Sequence, residues 1–100
     1  MSLNLGNVIG IQNFNFGESK TWAETATITT AEQTVTVPGL KVGDMVIVSK
    51  PTAQAGIGVC GVRVSAVDTL AITFNNPTAS GVTATASEVW LGTLIRSEQP

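Results

Sequence analysis

Between residues 21 and 96 apolar and polar side chains alternate with a period of two, in short runs rich in Val, Ile and Thr. That period puts successive side chains on opposite faces of an extended chain, whereas a helix needs recurrence near 3.6 residues. The runs cover residues 21–30, 33–37, 44–50, 57–67, 69–75 and 86–96 and are of strand length. Turn formers stand between them: Pro38-Gly39 and Gly43, then Pro51, then Asn76-Pro77 with Gly81. Val67-Asp68-Thr69 joins two of the runs as a close hairpin. Six strands with short links predict an all-β fold, a small β-sandwich or jelly-roll-like barrel.

Within the hairpin Val62, Val64 and Ala66 share one face, and Leu70, Ile72 and Phe74 share a face opposite Ala71, Thr73 and Asn75. One face is core and the other polar. The last run departs from this rule, because Val89, Leu91 and Ile95 alternate with Trp90 and Leu94, so both faces are apolar. A domain of this size has one core. Either Trp90 and Leu94, or their neighbours, meet a second chain, or the strand lies centrally between two layers.

Residues 1–19 read as an extended N-terminal arm ahead of a β domain spanning residues 20–100. The arm holds Leu3, Leu5, Val8, Ile9, Ile11, Phe14 and Phe16 among Asn and Gly, which build strand and helix interiors poorly. Fixing its backbone costs more than burying those side chains returns, so the arm needs a ready-made surface. That surface is either a partner, through an exposed sheet edge, or the arm's own domain. With Trp22, Trp90 and Leu94, these seven side chains are the candidate interface residues.

Charge and chemistry narrow the function. Only 12% of residues are charged and the net charge is −2, with Lys20, Lys41, Lys50, Arg63 and Arg96 scattered along the chain. A nucleic-acid backbone binder needs those cations clustered, so no nucleic-acid partner is expected. No window approaches the ~18 apolar residues of a membrane span, and the first residues lack the basic and apolar regions of a signal peptide. There is no His, and the seven acids occur singly, mostly beside turns. General acid–base catalysis and a metal centre both lack their usual residues, so no catalytic, metal or cofactor-binding residue is expected. Cys60, the one cysteine, sits in an apolar run and reads as a small buried hydrophobe.

The stretches TVTVPGLKVGDMVIVSKP and GVRVSAVDTLAITFNNPTA, followed by a closing strand to Arg96, resemble small structural proteins of tailed-bacteriophage virions, of the head decoration or cement type. The resemblance covers residues 34–96, through a Gly-Leu-x-x-Gly-Asp turn, a Val-Ser-Ala-x-Asp-Thr-Leu hairpin and an Asn-x-Thr-Ala tail. It implies a non-enzymatic all-β protein, made in the host cytoplasm and carried on the capsid surface. Its partners would be the major capsid protein and copies of itself, as a homotrimer. No ligand site carries over, because the matched positions are turn and core residues. The competing expectation is a fibre or receptor-binding module that holds a glycan against exposed aromatic rings.

Overall fold

The structure, a computed structural model, describes residues 9–97. Its strands are β1 (Ile9–Phe16), β2 (Glu24–Thr25), β3 (Thr29–Thr36), β4 (Met45–Ser49), β5 (Gly58–Ala66), β6 (Thr69–Asn76), β7 (Val82–Thr83) and β8 (Trp90–Ser97). Two three-stranded antiparallel sheets, β1-β8-β4 and β3-β6-β5, face each other across the core, and β2 with β7 forms a short ribbon. The expected small all-β sandwich is the fold. The chain crosses between the sheets from β4 to β5, and those two strands lie against each other at one corner.

The alternation of the hairpin gives its packing directly. Leu70, Ile72 and Phe74 of β6 are buried, and Val64 of β5 joins them. Val67 and Asp68 form the turn, with Asp68 in the left-handed region at φ 59°, where Asp is better tolerated than most side chains. The tip is anchored to residues 37–40: Asp68 N–H donates to Leu40 C=O, and Gly39 N–H donates to the Asp68 carboxylate at 2.7 Å. Gly39 and Gly43, at φ 99° and 101°, take the positions that require positive φ in the two turns leading into β4.

All five aromatic side chains form one cluster. Trp90 meets Phe16 at 5.7 Å, Trp22 at 5.5 Å and Phe74 edge-to-face at 6.1 Å, and Phe14 stacks on through Phe16. The cluster joins β8 and β1 of one sheet to β6 of the other. Gly92 lies beneath the Phe14 ring, where a Cβ would stand 2.5 Å from the ring's far end. At the far end of β6, the buried Asn76 amide donates to Thr25 C=O and Ser80 C=O and accepts from Thr78, fixing the 77–81 turn against β2.

Four expectations are corrected. The arm over residues 1–19 does not stand apart in its second half: Ile9–Phe16 pairs with β8 along its whole length, because Phe14 and Phe16 have the aromatic cluster to cover. Cys60 is exposed rather than buried, because a register shift between Val59 and Gly61 leaves it unpaired. A second shift between Val64 and Ala66 turns Ala66 outward. The run over residues 21–30 is broken, with Trp22 plugging the core from a loop and Ile28, at φ 49°, turning the chain into β3.

Trp90→Ala should remove the hub of this cluster and destabilise the fold by about 3–5 kcal/mol, measured by denaturant unfolding. Deleting residues 1–16 removes a sheet strand and two of the five rings. It should therefore lower the melting temperature of the remaining domain, measured calorimetrically.

Candidate interaction face

The inner face of the β1-β8-β4 sheet carries Phe14, Phe16, Trp90, Leu94, Val46 and Val48. Alternation therefore turns their neighbours outward, and the register arranges these in three rows. Ile11, Ile95 and Met45 lie side by side; next come Asn13, Thr93 and Ile47; then Asn15, Leu91 and Ser49. None of the nine is charged. Ile11, Met45, Ile47 and Leu91 remain 69%, 64%, 62% and 53% exposed, which is unusual for large apolar side chains grouped on one sheet. Thr93 donates its hydroxyl to the Asn13 side-chain oxygen at 2.9 Å, so the polar centre of the face partly satisfies itself.

Charge is held at the ends of this sheet. Arg96, in β8 just beyond the end of its pairing with β4, donates to both Asp44 oxygens and to Gly39 C=O. Lys50 and Glu88, at the opposite ends of the same two strands, pair at 2.8 Å, and Thr52 donates to Glu88 as well. The third ion pair, Arg63 with Glu32, bridges β5 and β3 across β6 on the outer side of the other sheet, above the fully buried Ala71. Hydrogen bonds from Arg96 hold the Asp44 carboxyl below its ordinary range against the opposing effect of burial, with the Lys41 N–H assisting. Lys50 and then Thr52 lower Glu88, and Arg63 lowers Glu32.

The candidate interface residues are distributed unevenly. Ile11 lies on the uncharged face. Phe16, Trp22, Trp90 and Leu94 are buried in the domain's own core, and Phe14 is half-buried against it, because the aromatic cluster requires them there. Leu3, Leu5 and Val8 lie outside the described residues, as does the side chain of Ile9. For the last strand, it is the neighbours Val89 and Leu91 that reach the surface. Met45, Ile47 and Ile95 complete the face. Met45-Val46-Ile47-Val48 is apolar in both parities, the same signal that marks residues 89–95.

A cleft of about 360 Å³ opens between residues 15–20 and 35–38, where β1 and β3 leave the second corner of the sandwich uncovered. Among the described residues no three His, Cys, Asp or Glu side chains come together as a metal site. Compared with protein-family models, curated proteins and solved structures, the chain matches none.

The three lowered carboxylates predict an acid-sensitive fold. A carboxyl whose folded pKa lies below its unfolded value contributes stability above the ordinary value of about 4, and that contribution is lost as pH falls through the folded value. The melting temperature should hold near neutrality and drop below about pH 4. Asp44→Asn should lower it at neutral pH and flatten the acid drop, measured by thermal melts across pH.

Proposed function

We propose that this chain is a non-enzymatic virion protein of a tailed bacteriophage, a head decoration protein that docks on the shell and bridges subunits of the major capsid protein. The observation that carries the reading is the uncharged outer face of the β1-β8-β4 sheet, with Ile11, Met45, Ile47 and Leu91 more than half exposed. A cement protein works by burying surface across shell subunits, which stabilises the assembled state in proportion to its binding, and it needs no reactive group. The resemblance over residues 34–96 points the same way. A glycan-binding fibre module would need aromatic rings at the surface. Four of the five rings here are buried and the fifth is half-buried, which weighs against that reading.

The test is binding to phage heads of the virion that carries this gene, stripped of accessory proteins. The wild-type chain should cosediment saturably with the shells. Ile47→Asp places a charge mid-face without touching the core and should weaken occupancy by about tenfold or more, with the melting temperature unchanged. Recovery of the protein with tails or bacterial envelopes in place of heads would overturn the proposal.

A further inference from the structure

We infer that β1 is a pairing edge for a second copy of this chain, and that two copies join β1 to β1 about a twofold axis into one six-stranded sheet. A sheet edge leaves every second residue's N–H and C=O without a partner, and stable monomers guard such edges with charge, bulges, proline, shortness or a covering segment. Three of the four long edges here are guarded. β4 is five residues long, is followed by Lys50 and Pro51, and packs beside β5 at the closed corner. β5 carries two register shifts and Arg63. β3 carries Glu32 mid-strand and lies against β2. β1 is eight residues long, pairs with β8 in unbroken register, contains no charge and no proline, and has no other strand partner among the described residues.

The occupant follows from charge and area. An identical uncharged strand meets β1 without any like-charge opposition. Antiparallel pairing centred on Gln12 or Asn13 sets odd residues against odd ones, so Ile11, Asn13 and Asn15 of both copies fall on the same side of the joined sheet. Strands about 4.8 Å apart, about 26 Å long for the eight residues of β1 and β8 and about 17 Å for the five of β4, present a face of roughly 330 Å². That is less than half of the roughly 800 Å² per partner of a stable interface. Two copies joined through β1 present roughly 660 Å² of continuous uncharged sheet, which approaches that size. A lone copy thus carries half of a docking face, and its free edge is where the other half attaches. The twofold arrangement differs from the homotrimer that the phage resemblance implies; its area argument rests on the proposed docking role of the face, whereas the unguarded edge of β1 does not.

Sedimentation from about 10 µM to about 1 mM should show a species of twice the chain's 10.3 kDa mass growing with concentration. Amide exchange along β1 should slow as it forms. Asn13→Lys brings two ammonium groups together across the axis and should weaken the dimer by about tenfold or more. Gln12→Lys, at an exposed position within one residue of the axis in either register, does the same where loss of the Thr93 hydrogen bond to Asn13 disturbs the fold. Ile47→Asp, on the opposite edge strand, should dimerise normally even where it loses shells, which separates this inference from the proposed function. A monomer throughout the range, a trimer, or folded Lys variants that dimerise as tightly as wild type would each overturn it.

Discussion

The packing of Trp90 is the contact on which the rest of the structure depends. It sits at the start of the central strand of one sheet and reaches Phe74 of the other, so the separation of the two layers is set by one indole ring. The chain's path is shaped around it. Gly17 turns at φ 88° directly beside the ring, where a Cβ would lie 3.1 Å from the indole and 3.0 Å from Glu88 C=O. The loop after that turn brings Trp22 in from the side, and Lys20 lies 5.4 Å over the Trp22 ring. Neither indole N–H finds an acceptor among the described residues, so shape and apolar burial hold the cluster together against the cost of two unpaired donors.

One consequence concerns charge. With so few charged residues, their placement decides which surfaces are dry and which are wet. Asp44–Arg96 and Lys50–Glu88 bracket the β4–β8 pair at its two ends. In both pairs the carboxylate side chain is nearly buried, 4% exposed for Asp44 and 11% for Glu88. Removing one partner would therefore strand a desolvated charge. The ion pairs act as clamps at the strand ends, and the strand middles are left free of charge on both faces. The same economy that closes the core leaves the outer face of this sheet neutral.

The period-two pattern made the fold class and the β5–β6 hairpin legible, because alternation with turn residues at both ends admits little else. What stayed hidden was decided by contacts distant in sequence. Nothing local marks Cys60 as a bulge residue, since the shift arises where β5 meets β6. Asn76 reads as an ordinary turn residue before Pro77, yet its amide is a fully bonded buried link between three segments. The leader looked detachable because Asn and Gly dilute it, but the Phe14 and Phe16 rings were signals for the aromatic cluster that holds β1 in place. The uncharged face was half legible: residues 89–95 announced two apolar faces, but which one is core depended on where Trp90 packs.

The composition of that face bears on the docking proposed for it. Its first row, Ile11, Ile95 and Met45, is wholly apolar, whereas the next two include Asn13, Thr93, Asn15 and Ser49. Charged residues in those places would have to be desolvated or matched by opposite charge in any complex, at several kcal/mol per unpaired ion. An amide and a hydroxyl already bonded to each other, as Asn13 and Thr93 are, carry that hydrogen bond with them into an interface and leave the Asn13 N–H groups to be matched there. They also break up the contiguous apolar area that a solitary copy presents to water. On such a face the proposed docking would need a complementary shape from the partner more than a matching set of charges.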